Sequence, residues 1–395
     1  MELKAMINEF IKLYGGNESD IRVFQSPGRV NLIGEHTDYN GGFVFPAALT
    51  VKTTIVARKR TDNIIRLKAT DLDTIVEADI ESLDSYRDLQ WGNYQLGIAY
   101  EMKKEGYDIC GMDMLYDDTV PHGSGLSSSA ANEVSTALCI ATLHNEKFGI
   151  TEPIDMIALA LIGQRAENGY CGVNCGIMDQ FASAMGKKDC AIFLKCDDLT
   201  YKYVPLALDG KKIIISNTKK KHALGASKYN ERRSECEKGF ELLHAVLPEK
   251  TCLGEISVEE FEANKNVITD ETVLRRVRHV IYEDDRVLRS IDELEAGNIE
   301  EFGRLMNASH DSLRDDYEVT CFELDTMVDE ARKIDGVIGS RMTGAGFGGC
   351  TVSIVKEDAV DEFIKTVGAN YEAKTGLKPE FYVSEIGNGG MEIVL

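Results

Sequence analysis

Glycine and serine residues alternate within one short stretch of the chain, residues 121–131, which reads Pro-His-Gly-Ser-Gly-Leu-Ser-Ser-Ser-Ala-Ala. Gly123 and Gly125 allow a tight turn, and a ligand can approach the backbone there because no Cβ intervenes. The serines open a helical pattern over about 128–145, and the first N–H groups of a helix have no partner within it. Since a helix start also carries partial positive charge, the stretch predicts an anion site, with phosphate as the natural ligand. A serine-capped helix after a glycine turn is the simpler alternative.

A second polar stretch lies earlier in the chain, at residues 29–42. It places the donors and acceptors of Glu35, His36 and Asp38 within four residues. This density of polar groups exceeds what a solvated loop requires. The stretch is therefore a candidate for ligand recognition, although a histidine in such a loop can also be satisfied by the turn itself.

The net charge disfavours some classes of partner. The 395-residue chain has 44 lysines and arginines against 66 aspartates and glutamates, a net charge of −22. Such a surface repels nucleic acid and anionic lipid, so we expect neither nucleic acid nor a membrane as a partner. An acidic protein that binds a phosphorylated ligand must bind it locally, through backbone dipoles, a metal ion and a few cations.

Ten cysteines are scattered along the chain without a CxxC pair. Most lie in apolar runs, where a reduced cysteine behaves as a small hydrophobic residue. Cys171 and Cys175 have the spacing of half a metal site, but no second half follows, so structural thiols are the favoured interpretation. Together with the lack of a signal-like segment or an apolar run of about 18 residues, these cysteines predict a cytoplasmic protein.

Apolar periodicity predicts strands and helices without strict β–α–β alternation, so a two-domain α+β protein fits better than a doubly wound sheet. We place the domain change at about 185–210, before a buried strand at 211–217. The first strand, 21–25, is expected to stop before Pro27, which leaves 29–42 as a loop. Other strands are expected at 43–48, 53–58, 63–68, 74–79, 112–116, 191–194, 350–355 and 380–384, and helices at 94–105, 128–145, 154–168, 227–246, 256–264, 271–290, 298–315, 322–334 and 357–375.

The glycine-rich stretch 121–131 differs from the commonest nucleotide-binding loops. It is not a Walker A loop, because no lysine follows Gly125. The chain also lacks the VAIK, HRD and DFG series of protein kinases. A second glycine-rich turn, 344–349, loosely matches G-x-G-x-x-G but runs into a strand rather than a helix, which disfavours a dinucleotide site. A turn that brings the backbone against a neighbouring loop explains 344–349 better.

Three motifs, in order and spacing, resemble one superfamily. Residues 121–131 resemble the second motif of the GHMP kinases, which include galacto-, homoserine, mevalonate and phosphomevalonate kinases, and 344–349 resemble the third. Residues 28–42, which read Gly-Arg-Val-Asn-Leu-Ile-Gly-Glu-His-Thr-Asp-Tyr-Asn-Gly-Gly, match the galactokinase signature. Residues 176–181 and 341–344 also resemble that family. The matches extend over nearly the whole chain.

The resemblance implies an α+β fold of two domains, with the active site in the cleft between them. Residues 1–200 would form a domain like ribosomal protein S5 domain 2, and residues 201–395 a ferredoxin-like domain. The implied activity is ATP-dependent phosphorylation of the anomeric hydroxyl of D-galactose to α-D-galactose 1-phosphate, the entry step of galactose catabolism. Alternatives are a kinase for N-acetylgalactosamine or arabinose, and a galactose- and ATP-binding regulator without turnover. The intact serines of 127–131 and the presence of Asp179 favour catalysis; no protein partner is implied.

The resemblance also assigns the catalytic and sugar-binding roles. Asp179 would be the base, with Arg29 beside it: a carboxylate next to a guanidinium stays ionised and can accept from a hydroxyl. The guanidinium would also offset charge on the transferring phosphoryl group. Without the resemblance, Asp179 would be taken as a helix N-cap and Arg29 as a surface ion pair. Besides Asp179, the implied sugar-binding residues are Glu35, His36, Thr37, Asp38, Gly176 and Tyr229.

ATP and Mg²⁺ are the implied co-substrate and cofactor. Magnesium prefers hard oxygen ligands and keeps several waters, so the hydroxyl of Ser129, the carboxylate of Glu167 and the ATP phosphates suffice. Taken alone, Glu167 would be a solvated charge on a helix. Trp91 and Tyr94 match positions that flank adenine in the family, although an aromatic pair at this spacing is more often part of a core. The residues implied in phosphate binding are Gly123, Ser124, Gly125, Leu126, Ser127, Ser128 and Ser129.

Overall fold

The structure is a computed structural model that describes residues 1–89, 91–121, 123–220 and 225–395. Strands and helices are mixed along these residues, as the apolar periodicity predicts. The strands are β1 (Arg22–Asn31), β2 (Phe43–Val44), β3 (Pro46–Lys59), β4 (Ile64–Ala69), β5 (Ile75–Asp79), β6 (Met112–Asp118), β7 (Cys190–Lys195), β8 (Tyr201–Pro205), β9 (Lys211–Asn217), β10 (Val337–Thr343), β11 (Cys350–Lys356), β12 (Glu380–Ser384) and β13 (Met391–Ile393).

The helices differ widely in length, and the longest spans 25 residues. No helix in the described ranges is both long and apolar enough to cross a membrane. The helices are α1 (Leu3–Tyr14), α2 (Gly92–Lys104), α3 (Ser128–Phe148), α4 (Met156–Arg165), α5 (Met178–Met185), α6 (Gly225–His244), α7 (Val258–Asn264), α8 (Glu271–Glu295), α9 (Ile299–Asp315), α10 (Phe322–Ala331) and α11 (Val360–Thr375).

The strands form three sheets. The largest has the order β13-β1-β3-β6-β4-β5 and is antiparallel except between β4 and β6. A four-stranded antiparallel sheet, β10-β11-β9-β12, organises the second half of the chain, and β2-β7-β8 form a smaller sheet. Strand β13 returns to pair with β1. The predicted domain division at residue 200 falls between β7 and β8, which pair with each other, and it stays a prediction.

Both faces of the six-stranded sheet are covered by helices. Alternate residues of a strand point to opposite faces, and β1 and β3 bury both sets. Phe24 and Ile55 belong to the core under α2, α3 and α4, whereas Val23 and Val56 pack with Phe10 of α1. Strand β1 is therefore fixed on both faces before it reaches the polar stretch.

A separate core joins the two halves of the chain. Val30 and Ile33, at the end of β1 and just after it, share this core with Ile213 of β9, Val352 of β11 and Phe302 of α9. All five side chains are buried. The polar stretch 29–42 consequently begins at the junction of the two sheets rather than on an outer surface.

Strand β1 differs from the sequence prediction in a way that matters for Arg29. The strand was expected to stop before Pro27, but it continues to Asn31, so Arg29 lies on a strand and not in a loop. Proline lacks the N–H that a sheet ladder uses, which is why it signals a strand end. Here the pairing register with β3 shifts between Pro27 and Arg29, and this irregularity lets the strand resume.

Two further differences from the sequence prediction concern the elements that carry Glu167 and Arg341. The helix expected over 154–168 divides into α4 and a π-helical turn, Ala166–Tyr170, which carries Glu167. Such turns are rare and occur often at functional sites. Strand β10 was not predicted, because its sequence includes a glycine and the charged Arg341. Arg341 is fully buried and pairs with Glu35, a long-range contact that a local pattern does not reveal.

Helix α9 lies against β10 at a glycine contact. A Cβ on Gly303 would overlap the carbonyl oxygen of Ile338, and one on Gly339 would lie 2.6 Å from the carbonyl oxygen of Gly303. Backbone can approach backbone this closely only without side chains. The contact sets the distance between the elements that carry Ser309 and Arg341, which hydrogen-bond each other.

We predict that Gly303→Ala destabilises the protein by about 2 kcal/mol, because the added methyl group must push α9 away from β10. Thermal unfolding monitored by circular dichroism measures the effect. Gly169→Ala is the control, since a Cβ there has open space around it. Equal melting temperatures for the two variants would contradict the close-packing interpretation.

Candidate active site

Arg29 of β1 and Asp179 of α5 meet in an ion pair, although 150 residues separate them in the sequence. Arg29 Nε and Nη2 lie 2.8 and 2.7 Å from Asp179 Oδ1. The arginine side chain is 4% exposed and the aspartate 31%, so the carboxylate has an open side. Burial opposes the charge on Arg29, but the carboxylates of Asp179 and Glu35 outweigh it and raise the pKa of the guanidinium.

The same arginine holds the glycine-rich stretch 121–131, hereafter the phosphate loop. Arg29 Nη1 donates to the carbonyl oxygen of Gly125 at 2.7 Å, and its backbone N–H donates to that of Leu126 at 3.1 Å. The Leu126 side chain is buried in the core that joins the two halves. Gly28 makes the approach possible, because a Cβ there would lie 2.6 Å from the Leu126 carbonyl oxygen. The Asp179 carboxylate, the Arg29 guanidinium and the loop therefore form one connected unit.

The phosphate loop turns through three residues with positive φ: Gly123 at 65°, Gly125 at 76° and Ser127 at 60°. It faces the glycine-rich turn 344–349, since a Cβ on Gly344 would lie 3.1 Å from the carbonyl oxygen of Gly125. The sequence predicted that 344–349 brings the backbone against a neighbouring loop, and the phosphate loop is that neighbour. His122, within the phosphate loop, lies outside the described residues.

The serines of the phosphate loop have different surroundings. Ser124 is buried, and its hydroxyl donates to a carbonyl oxygen of the loop at 2.5 Å. Ser127 donates through its hydroxyl to Oδ2 of Asp179. Ser128 and Ser129 are half-buried in the first turn of α3, where unpaired backbone N–H groups favour an anion.

Glu35 connects the polar stretch 29–42 to the second half of the chain. Asn31 Nδ2 donates to Oε2 at 2.9 Å, and the backbone N–H of Gly344 donates to Oε1 at 2.6 Å. Arg341 Nη1 lies 3.5 Å from Oε1. Glu35 is buried, and its Oε2 accepts one bond, which leaves a lone pair for a further donor.

His36 begins a chain of hydrogen bonds through three neighbouring side chains. Burial lowers its pKa to about 3, so the ring is neutral. Nε2 lies 3.2 Å from the carbonyl oxygen of Ala345 and must donate, so Nδ1 accepts from the hydroxyl of Tyr39 at 2.8 Å. Tyr39 in turn accepts from Tyr317 at 2.8 Å, and Tyr317 from the thiol of Cys236 at 3.2 Å. Both ring nitrogens of His36 are thus used within the protein.

Asp38 and Gly176 lie against each other, and a Cβ on Gly176 would overlap the carboxylate. A cavity of about 350 Å³ opens beside them and reaches Asn168 and Arg233. This volume falls in the range of small-molecule sites. Burial, and next the charge of Asp179, raise the pKa of Asp38 from 3.8 to about 7.

Thr37, within the stretch 29–42, and Tyr229, on α6, contribute to this part of the candidate site in different ways. Thr37 is fully buried, and its hydroxyl lies 2.6 Å from the carbonyl oxygen of Phe43 and 3.0 Å from that of Gly34, so it fixes the loop. Tyr229, on α6, is half-buried and packs its ring against His36 with centroids 5.5 Å apart. The second half of the chain therefore contributes one wall of the site.

Two carboxylates lie close together beside Asp179. Gln180 Nε2 donates to Glu133 Oε2 at 2.9 Å and to Glu167 Oε2 at 2.7 Å. Both carboxylates are buried, and burial together with neighbouring negative charge raises the pKa of each. Within the described ranges, Glu133 Oε1 has no hydrogen-bond partner. Ser129 lies one turn before Glu133 on α3, and residues at this spacing share a helix face.

This donor set fits Mg²⁺, which prefers hard oxygen ligands and balances buried negative charge. No group of three or more His, Cys, Asp or Glu side chains in the described part of the chain forms a complete metal site. An ion at Ser129 and Glu167 would therefore take further oxygens from a nucleotide and from water.

The aromatic residues Trp91 and Tyr94 lie at the beginning of α2. Trp91 packs at the edge of the core under the six-stranded sheet, with its ring 6.3 Å from that of Tyr116. Tyr94 is half-buried, and burial and the charge of Glu167 raise its pKa. Tyr94 therefore lies near the carboxylate pair, whereas Trp91 is mainly part of the core.

Comparisons with known proteins bear on the identity of this site. Residues 8–59 match the galactokinase galactose-binding signature, residues 93–187 the GHMP kinases N terminal domain and residues 290–373 the GHMP kinases C terminal domain. A galactokinase of Clostridium acetobutylicum is 50% identical over 94% of this chain and 94% of that protein. One of Clostridium tetani is 48% identical over 100% of this chain and 98% of that protein.

The chain belongs to the galactokinase family. A crystal structure of Lactococcus lactis galactokinase complexed with galactose superposes with a TM-score of 0.93 at 42% identity, covering 100% of both chains. Mevalonate kinase of Methanococcus jannaschii superposes with a TM-score of 0.64 at 20% identity over 94% of this chain and 100% of that one, which is a likeness of fold. The α+β, two-domain GHMP kinase fold predicted from the sequence is confirmed.

The sequence did not predict that α8 helps to hold the backbone of residues 34 and 35 in this member of the galactokinase family. Glu283 Oε1 accepts the backbone N–H of Gly34 at 2.9 Å, and His279 Nε2 donates to the backbone carbonyl of Glu35 at 3.1 Å. Burial opposes ionisation of Glu283, but Arg286 and His279 outweigh it and lower its pKa to about 2. In the sequence, the charged residues of α8 resemble an ordinary solvated helix face. The available signal was a charged residue, Glu283, among the apolar positions that face the core.

Asp38 yields a prediction in which binding and stability change in opposite directions. The folded-state pKa of about 7 exceeds the unfolded value of 3.8, so folding becomes less favourable as the pH rises between these values. We predict that Asp38→Asn weakens galactose binding about tenfold or more above pH 7, where the carboxylate is ionised, because a charged acceptor is lost. The melting temperature of the variant should exceed that of the parent by a margin that grows from pH 4 to pH 7 and then levels off.

Calorimetric titration with galactose above pH 7 measures the effect on binding, and thermal unfolding from pH 4 to pH 7 measures the effect on stability. Asp73→Asn is the control, since Asp73 is exposed and far from the site in sequence. Unchanged galactose affinity, or a melting-temperature difference that does not depend on pH, would refute the role assigned to Asp38.

Proposed function

We propose that this chain transfers the γ-phosphoryl group of ATP to the anomeric hydroxyl of D-galactose, giving α-D-galactose 1-phosphate and ADP, the entry step of galactose catabolism. The observation that supports the proposal is a pair of hydrogen bonds: Arg29 donates one to Asp179 and one to the carbonyl oxygen of Gly125. A single side chain thereby connects the carboxylate of a hydroxyl-activating site to the loop that would hold the nucleotide phosphates.

Asp179 is the proposed catalytic base. Its Oδ1 is occupied by Arg29, and 31% of its side chain is exposed, so a substrate can reach it. A sugar hydroxyl that donates to this carboxylate is oriented for attack and has an acceptor for its proton. Arg29 is buried and therefore strongly favoured to stay paired with Asp179. In this position its guanidinium would also stabilise the charge that develops on the transferring phosphoryl group.

The sugar-binding residues are proposed to be Glu35, His36, Thr37, Asp38, Gly176 and Tyr229. Asp38 is the principal acceptor, because Glu35 and His36 are already bonded to the second half of the chain. Gly176 leaves room for the Asp38 carboxylate. Discrimination between hexoses follows, since the wrong epimer would leave a buried acceptor without its donor.

ATP is proposed to bind at the phosphate loop through Gly123, Ser124, Gly125, Leu126, Ser127, Ser128 and Ser129. Loop N–H groups and the beginning of α3 would hold the phosphates. Ser129 and Glu167 would hold Mg²⁺, which when bound neutralises phosphate charge near the carboxylate pair. Trp91 and Tyr94 are proposed to border the adenine, Tyr94 more directly because it is less embedded in the core.

We place the reaction in the cytoplasm, where ATP is available and where cysteines stay reduced. All ten cysteines are free thiols. The related-sugar kinase and the non-catalytic regulator are the rival functions. The regulator is disfavoured, because Asp179, Arg29 and the phosphate loop are connected as a phosphoryl-transfer site requires.

The function is tested by ADP release from the purified chain with a panel of acceptors. We expect kcat/KM for galactose to exceed those for glucose, N-acetylgalactosamine, mevalonate and homoserine by about a hundredfold, because polar pockets discriminate strongly. Asp179→Asn, prepared identically, shows whether a contaminating kinase contributes. A preference for N-acetylgalactosamine would favour the rival kinase, and a preference for mevalonate or homoserine would refute the proposal.

A further inference from the structure

Ser127 combines an unusual backbone conformation with an unusual hydrogen bond. It precedes α3 with φ 60° and ψ 50°, the left-handed region. A serine before a helix normally accepts from an N–H of the first turn, but Ser127 makes no such bond. Its hydroxyl instead donates to Oδ2 of Asp179.

The left-handed conformation is unfavourable for residues with a Cβ, and glycine adopts it freely. The phosphate loop uses glycine at two neighbouring left-handed positions, Gly123 and Gly125. A glycine at 127 would suit the same turn with less strain. Strained residues that persist at a site point to a role for the side chain, and what serine supplies here is a hydroxyl.

The hydroxyl reaches the part of Asp179 that Arg29 does not hold. Arg29 bonds Oδ1 through two nitrogens, and Ser127 bonds Oδ2. With one donor on each oxygen, the carboxylate cannot rotate about its Cβ–Cγ bond without breaking a bond. Ser127 is itself buried, so water does not readily replace it. Since each oxygen has two lone pairs, Oδ2 still has one free for a substrate hydroxyl.

We propose that Ser127 is a positioning residue, whose hydroxyl sets the orientation of the Asp179 carboxylate and whose part in phosphate binding is limited to its backbone N–H. This rests on the proposed function, in which Asp179 accepts the proton of the sugar hydroxyl. The sugar oxygen forms a bond to the γ-phosphorus of ATP as its own O–H bond breaks, and the proton passes to the free lone pair of Asp179 Oδ2. The bond from the γ-phosphorus to the bridging oxygen breaks at the same time, and ADP leaves with that electron pair. The Ser127 proton stays on Ser127.

The variants Ser127→Gly and Ser127→Ala separate the hydroxyl from the backbone. Both remove the hydroxyl, but only glycine also relieves the left-handed strain. We expect both to lower kcat about tenfold to a hundredfold, the effect of one lost hydrogen bond to a charged group. KM for galactose and the dissociation constant for ATP, measured by fluorescence titration, should change less than about twofold. Ser127→Gly should melt at a higher temperature than Ser127→Ala.

Asp189→Gly is the matched control, since Asp189 has φ 59° and an exposed side chain. It should show the stabilisation that strain relief produces, with kcat unchanged. Normal kcat in Ser127→Gly would overturn the proposal, and so would a loss of ATP affinity as large as the loss of kcat. If the unaltered chain phosphorylates no sugar, the proposed function fails and the proposal with it; an active parent with an equally active glycine variant refutes the proposal alone.

Discussion

A buried guanidinium is the constraint on which the rest of the site depends. Arg29 is almost inaccessible to solvent, and a charge in such a position is very unfavourable unless it is paired and hydrogen-bonded. Asp179 supplies the opposite charge, and the carbonyl oxygen of Gly125 in the phosphate loop accepts from Nη1 of the guanidinium. Folding is therefore favoured when β1, α5 and the phosphate loop come together, and this contact assembles the groups of the proposed phosphoryl-transfer site.

The second half of the chain stabilises the proposed sugar-binding stretch, 29–42, by the same principle. Glu35 is held by Gly344 and Arg341, and α8 holds the adjacent backbone through Glu283 and His279. Each of these polar groups is buried, so each is strongly favoured to keep its partner. The loop that would recognise the sugar is consequently fixed before a ligand arrives, which limits the entropy lost on binding.

The motifs predicted the fold and the family, because each motif is a short run of residues that can be recognised from the sequence alone. They did not predict what holds the motif residues. Arg29 was expected in a loop because proline usually ends a strand, and the shift of register that accommodates Pro27 depends on β3. Taken alone, Asp179 resembled a helix cap; the resemblance placed Arg29 beside it, but its contact with Ser127 was not predicted. Glu283 gave no signal, because its partner Gly34 lies 249 residues away.

The most direct test of the pairing between Arg29 and Asp179 is a double-mutant cycle on kcat for galactose, with Arg29→Met and Asp179→Asn. If the two side chains act as one unit, each single variant should lose about a thousandfold or more, and the double variant should be little worse than either single variant. The free energies of the two single losses would then be far from additive. Additive losses would show that the two residues act independently and would contradict the central role of their ion pair.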